Sequence, residues 1–234
     1  MTRFGTQNEH RRIEWLKAVL RRIPAGSRIL DAGAGEQRFR GLCSHLEYVS
    51  QDFARYDGKG DGRGLQTGFW EQADLDIVSD IVSIPVASGS FDAIMCIEVF
   101  EHLPEPVLAI KEFSRLLKDG GHLVVTAPFC SLTHFAPYHY ATGFNAYFYQ
   151  KHFADAGFRI VEIVPNGNFF EYLGQEIHRV PEIANRYCHF KLNFFQGIAL
   201  RLMLRVLEHC SHTDRGSSEM LCFGYHVHAV KIRQ

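Results

Sequence analysis

His134, Tyr138, His139 and Tyr140 bring four side chains able to take, hold or aim a proton into one short polar-aromatic stretch. A neutral imidazole, with a pKa of about 6.5, suits removal of a hydroxyl proton near neutral pH. His139 is the first candidate for such a base and His134 the second. Tyr138 and Tyr140 fit the orienting of a substrate or stacking on its ring, and packing explains them equally well. A second group of chemically able residues lies earlier, in Arg28-Ile29-Leu30-Asp31-Ala32-Gly33-Ala34-Gly35-Glu36, where a short apolar run meets an acid and a glycine turn. Glycines at such a turn let the backbone bend and a ligand approach where a Cβ would collide. A dinucleotide turn of the G-x-G-x-x-G kind needs a third small residue, and here Arg38 stands in its place. Asp31 is a poor neighbour for a diphosphate and a good one for an ammonium group. These residues favour a nucleoside with a cationic amino-acid tail.

The elements that must position these residues follow from periodicity. Residues 8–23 place Ile13, Leu16, Leu20 and Ile23 at helical spacing, and a short helix is expected over 37–46. Strands are expected over 48–52, 76–81, 91–97, 122–128, 158–164 and 222–232. Phe91–Ile97 is nearly all apolar, as a central parallel strand covered on both faces should be. Its end delivers Glu98, Val99, Phe100, Glu101 and His102 to the cleft that open α/β sheets form at strand carboxyl ends. Helices are expected over 106–117 and 144–156, and residues 57–68 read as a flexible glycine-rich connection without the G-K-[ST] of a phosphate loop. Asp52 falls about 20 residues after the glycine turn, where a strand-end acid can accept from ribose hydroxyls.

Leu30-Asp31-Ala32-Gly33-Ala34-Gly35, then Ile84-Pro85, Gly89-Ser90-Phe91-Asp92-Ala93-Ile94 and Glu101-His102-Leu103-Pro104, in that order, resemble the class I S-adenosylmethionine-dependent methyltransferases of small-molecule type. The resemblance spans residues 25–165. It implies an α/β fold: a doubly wound, mostly parallel seven-stranded Rossmann-like sheet, with a helical insertion between the last two strands. One domain is then expected, with an N-terminal helix (1–26), a cofactor-binding core (27–167), an insertion (168–216) and a last strand (217–234). The insertion departs from the family's usual short hairpin and reads as a lid, a wall of the acceptor pocket or a homodimer surface. The cofactor implied is S-adenosylmethionine, held by Asp31, Gly33, Gly35, Asp52, Asp80, Ile81 and Glu98. In the resemblance Asp80 accepts from the adenine amine, Ile81 packs on the ring, and the Glu101-His102 pair shapes the cofactor edge.

Methyl transfer from a sulfonium is an in-line displacement for which positioning alone supplies about 7–11 kcal/mol. A base is needed only where the acceptor must lose a proton. Histidines and tyrosines in the 129–149 stretch point toward O-methylation of a sugar or other hydroxylated metabolite. N- and C-methylation stay open, as does a donor-binding partner subunit without turnover; Arg38 argues against an NAD-dependent oxidoreductase.

A net charge of −1 offers no electrostatic footprint for nucleic acid or an anionic membrane, so the expected partner is a small-molecule acceptor. No apolar run approaches the ~20 residues of a span, and a cytoplasmic location is expected. The six cysteines lack C-x-x-C spacing and are expected reduced. Cys188, His189, His209, Cys210 and His212 do not match structural zinc spacing, and no run of carboxylates suggests Mg²⁺, so no metal is expected.

Overall fold

The computed structural model describes residues 4–71 and 74–232, so the outer limits 1 and 234 of the expected domain lie outside the described residues. The chain forms two compact units. One takes in the N-terminal stretch up to Ile13 together with Pro165–Phe223; the other takes in Glu14–Val164 and the stretch from Gly224.

The sheet is built from β1 (Arg28–Ala32), β2 (Glu47–Asp52), β3 (Ile77–Val78), β4 (Phe91–Ile97), β5 (Leu117–Pro128), β6 (Phe158–Asn166) and β7 (Gly224–Lys231). Their spatial order is β3-β2-β1-β4-β5-β7-β6. The pairs β1–β2, β2–β3, β1–β4 and β4–β5 are parallel, and β7 runs antiparallel to β5 with Thr126 opposite His226. The order reverses between β1 and β4, so a ligand crevice is expected beyond their carboxyl ends. This is the Rossmann-like sheet implied by the sequence resemblance.

Helix α1 (Asn8–Leu20) carries Leu16, Val19 and Leu20 into a core with Ile23, Ile29, Cys43 and Met95. Each such aliphatic side chain contributes about 1.5–3 kcal/mol when fully buried. Burial pushes the Cys43 thiol up to about 12, and the nearby Asp31 adds to the effect, so this thiol stays protonated. Helix α2 (Pro106–Leu116) opens on a proline, whose missing N–H costs nothing in a first turn. Helix α3 (Ala146–Asp155) starts where the Asn145 side chain accepts from the Phe148 amide.

Local pattern misjudged several stretches. The helix expected over 37–46 shrinks to a 3-10 turn at Arg40–Cys43, because Gln37 takes φ +55 and its side-chain amide donates to the Asp74 carbonyl at 2.5 Å. The strand expected over 76–81 is only Ile77–Val78: the Asp76 carboxylate accepts from the Ser50 amide and hydroxyl, and Asp80 turns back on the Val82 amide. β5 begins at Leu117 rather than 122, with a register shift opposite Phe91–Ala93 that absorbs Gly120 and Gly121.

The segment from Ile84 to Ser88, which leads the Asp80–Ile81 turn back to β4, is held by one ion pair. Arg115 donates to both Glu112 carboxylate oxygens (2.6 and 2.8 Å) and to the Ile84 and Val86 carbonyls, while the Ile84 amide donates to Glu112. The Arg115 side chain keeps 37% of its exposure. Arg115→Ala is therefore expected to cost about 2–3 kcal/mol in urea unfolding, below the 3–5 of a fully buried pair broken on one side. A loss under 0.5 kcal/mol would mean that water replaces the guanidinium at no cost.

In the other unit, α4 (Phe169–Cys188) and α5 (Phe194–His212) occupy the stretch between β6 and β7. Asn168 caps α4, and Asn193 with Gln196 forms a reciprocal capping box on α5. Phe194 and Phe195 stand exposed at the start of α5. Among the described residues no helix is long and apolar enough to cross a membrane.

Candidate active site

The glycine turn leaves β1 with Gly33 and Ala34 both donating to the Gln51 carbonyl (2.8 and 2.9 Å), which locks the turn to the neighbouring strand. Gly33 takes φ +82 and Gly35 φ +49. A Cβ on Gly33 would lie 2.5 Å from Val99 Cγ2, and one on Gly35 would lie 2.6 Å from Trp70 Cζ2. Glycine is thus required by conformation and by space at both positions.

Three acids of the expected cofactor set leave three adjacent strands at one end of the sheet. Asp52, at the end of β2, accepts from the Gly35 amide at 3.0 Å and from the Ala54 amide at 2.9 Å. Asp80 lies exposed just beyond β3, where Ser79 donates to the Asp52 carbonyl, and Ile81 beside it is buried. Asp31 faces elsewhere: its carboxyl is 3% exposed and accepts from the Tyr48 hydroxyl at 2.6 Å, beneath the strand surface. Burial pushes the Asp31 carboxyl up to about 7; the Tyr48 bond opposes this and the Asp52 charge adds to it. Glu98 follows β4 with φ +55, its amide donating to the Thr126 carbonyl and its carboxylate accepting from the Thr126 hydroxyl at 2.8 Å.

Residues 57–68, which the sequence suggested were flexible, belong instead to an ordered strap that runs over 54–71. Asp57 accepts from the Lys59 and Gly60 amides. The Asp61 amide donates to Ala136, Leu65 donates to Thr133, and Phe135 donates to Leu65. Tyr56, Trp70 and Phe135 pack edge to face, with ring centroids 4.4–5.4 Å apart. The strap therefore joins the glycine turn to the loop after β5.

That loop folds back so that the Tyr140 and Ala141 amides donate to the Glu101 carbonyl. It brings His134 and His139 against His102, with ring centroids 4.7 Å (His102–His134), 4.8 Å (His134–His139) and 6.0 Å (His102–His139) apart. Nδ1 of His102 lies 2.5 Å from the Tyr138 carbonyl, and Nδ1 of His134 lies 2.8 Å from the Leu132 carbonyl. Only an N–H can face a carbonyl, so both rings are Nδ1–H tautomers when neutral, with the Nε2 lone pairs turned inward. Burial pushes His102 down to about 3, and neighbouring His134 adds to this, so His102 is neutral. His139 is anchored through its other ring nitrogen. Ser131 Oγ lies 2.9 Å from the Thr142 carbonyl and 3.2 Å from His139 Nε2; with its proton on the carbonyl, it accepts from Nε2–H and Nδ1 keeps the lone pair. Burial holds His139 below its ordinary pKa. Tyr138 packs edge to face on Phe53 at 5.0 Å, and Tyr140 is exposed.

Of the candidate residues, Gly33, Gly35, Asp52, Asp80 and Ile81 meet at the ends of β1 to β3, while His134 and His139 meet beside the ends of β4 and β5. Sequence reasoning placed Val99 at the cleft but did not single out Trp70 or the convergence of Glu101 with two histidines. The Glu-His pair after β4, combined with a histidine in the loop after β5, was the signal for the last of these.

A family model described as "Methyltransferase domain" matches residues 4–206. A ubiquinone biosynthesis O-methyltransferase of Xanthomonas axonopodis pv. citri is 32% identical over 118 residues, covering 49% of this chain and 48% of that protein. The tRNA (carboxymethyluridine(34)-5-O)-methyltransferase ALKBH8 of Mus musculus is 30% identical over 116 residues, 48% of this chain and 16% of that protein. The chain thus spans half or less of the length of these curated relatives. Among solved structures, Haemonchus contortus phosphoethanolamine N-methyltransferase 2 in complex with S-adenosyl-L-methionine has a TM-score of 0.51 at 16% identity, covering 94% of this chain and 53% of that one. The [4+2]-cyclase SpnF has a TM-score of 0.54 at 19% identity, covering 94% and 82%. At such identities these two likenesses bear on the fold alone.

Proposed function

We propose, for a chain that belongs to the methyltransferase-domain family of class I S-adenosylmethionine-dependent enzymes, that it moves the donor's methyl group onto a hydroxyl oxygen of a small molecule. The observation that carries the choice of oxygen is the placing of His139, an imidazole held below its ordinary pKa by burial and anchored through Nε2 at 3.2 Å from Ser131 Oγ, in the loop after β5 where a hydroxyl proton would be taken. The donor lies along the ends of β1 to β3. The turn at Gly33 and Gly35, closed over by Val99 and Trp70, lies beside its amino-acid part, Asp52 faces its ribose, and Asp80 with Ile81 takes the adenine. Glu98 lines the same edge at the end of β4, and Asp31 acts from beneath the turn.

The acceptor lies under the 129–140 loop, with Tyr138 and Tyr140 at its margin. His139 takes the hydroxyl proton while the oxygen lone pair forms the new O–C bond. The C–S bond breaks with its electrons on sulfur, leaving S-adenosylhomocysteine. The O-methyltransferase names of the curated relatives agree with oxygen as the acceptor atom. A sugar or other hydroxylated metabolite fits better than tRNA, because a net charge of −1 provides no phosphate-binding field.

Calorimetric titration with S-adenosylhomocysteine and with NAD tests the donor; binding of NAD alone would overturn the assignment. Transfer of labelled methyl to a panel of sugars, phenols and amines tests the acceptor, and product formed only from amines would refute oxygen. His139→Ala is expected to lower kcat about 100-fold, at the low end of general base effects, with S-adenosylhomocysteine affinity kept within about twofold. Unchanged kcat at saturating acceptor would remove His139 as base.

A further inference from the structure

We propose that Glu101, His102 and His134 hold one divalent transition-metal ion, through the Glu101 carboxylate and the two imidazole Nε2 atoms. One ligand atom from each of these residues lies within 4.8 Å of the others, and among the described residues this is the group of possible ligands that converges. Both Nε2 atoms stand 3.8 Å from Glu101 Oε1. An ion bound at about 2.0–2.2 Å from nitrogen and carboxylate oxygen needs ligand atoms separated by this order of distance.

The ring orientations are those of metal ligands. A ligating histidine usually gives its other N–H to a carbonyl or carboxylate, which fixes both tautomer and aim. Here His102 gives Nδ1–H to the Tyr138 carbonyl and His134 gives its own to the Leu132 carbonyl. Two Nε2 lone pairs therefore face one carboxylate. The carboxylate is anchored as well: its side chain is 1% exposed, and its backbone carbonyl accepts from Tyr140 and Ala141. Nothing in the local sequence pairs Glu101–His102 with His134; the loop after β5 does so.

Two imidazoles and one carboxylate make a borderline-soft set suited to Zn²⁺, Mn²⁺, Fe²⁺ or Co²⁺ rather than to Ca²⁺. Three protein ligands leave at least one position for an outside oxygen, as in catalytic zinc sites. On the methyl-transfer reading above, that oxygen is the acceptor hydroxyl. The cation draws its electrons and eases loss of its proton to His139. His134 then serves as a ligand rather than as the second candidate base, and the sequence expectation of no metal is replaced.

The test uses the whole chain, stripped with a chelator, dialysed and titrated with Co²⁺ while visible absorption is recorded, then with Zn²⁺ by calorimetry. One equivalent of saturable binding with ligand-field bands is expected, and Zn²⁺ should displace Co²⁺. Glu101→Gln and His134→Ala should each weaken binding by more than the roughly 10–100-fold that loss of an outer partner costs. Circular dichroism melts check that the variants fold. Glu101 is buried, and an unfolded variant would say nothing about the ion, so His134→Ala, in a surface loop, decides the case. Absence of saturable binding by the wild type, or binding unchanged in folded His134→Ala, overturns the proposal. Titration of wild type with S-adenosylhomocysteine keeps the two readings apart: metal without nucleoside binding sinks the methyl-transfer reading, and nucleoside without metal binding sinks the ion.

Discussion

Asp31→Asn is expected to make the cofactor-free protein more stable by about 4 kcal/mol above pH 7, and to change its stability little below pH 4. Burial raises the folded carboxyl to about 7 from an ordinary 3.8. The folded state therefore binds this proton more tightly than the unfolded chain. Below the unfolded pKa both states are protonated and there is no penalty. Between about pH 4 and 7 the unfolded chain ionises while the folded one does not, and stability falls; above about 7 the loss is complete. At about 1.4 kcal/mol per pKa unit the total is about 4 kcal/mol. Asparagine keeps an oxygen for the Tyr48 hydroxyl and cannot ionise, so the decline should vanish from its curve. Urea unfolding of both proteins from pH 4 to 8 measures this, and parallel curves would show that Asp31 ionises freely where it lies.

Gly33→Ala is expected to destabilise the fold by about 2–5 kcal/mol and to weaken nucleoside binding with it. A left-handed residue other than glycine costs about 1–2 kcal/mol, and overpacking adds about 1–3. The overpacking has no easy relief, because both Val99 methyls crowd the new Cβ, at 2.5 and 2.8 Å. Turning the Val99 side chain exchanges one clash for another. Val99→Ala in the Gly33→Ala background should therefore restore the packing part and leave the backbone part. Additive effects in the double variant would show that the two side chains do not meet.

These two residues also mark how far the sequence can be read. Gly33 was legible because a sharp turn after an apolar strand writes itself in adjacent residues. The burial of Asp31 was not, because it depends on Tyr48, a partner on the next strand. β4 was legible because a strand covered on both faces is apolar throughout. The turn at 37–46 resembled a helix until Gln37 reached Asp74, and the expected strand at 76–81 was cut short by the bonds of Asp76 and Asp80. Glycines at 58, 60, 62, 64 and 68 suggested flexibility. The stretch is tied down between them by carbonyls more than 60 residues further along the chain, at Asp61–Ala136 and Leu65–Thr133, which no local period records. The cluster of Glu101, His102 and His134 is of the same kind, two neighbours and a third residue supplied by a distant loop.

The strap has a consequence for inhibitor design. Trp70 at Gly35 and Leu65 at the Thr133–Phe135 stretch belong to one short run of chain. A single compound that wedges the indole aside and extends along the run to Leu65 would disturb the glycine turn and the histidine loop together.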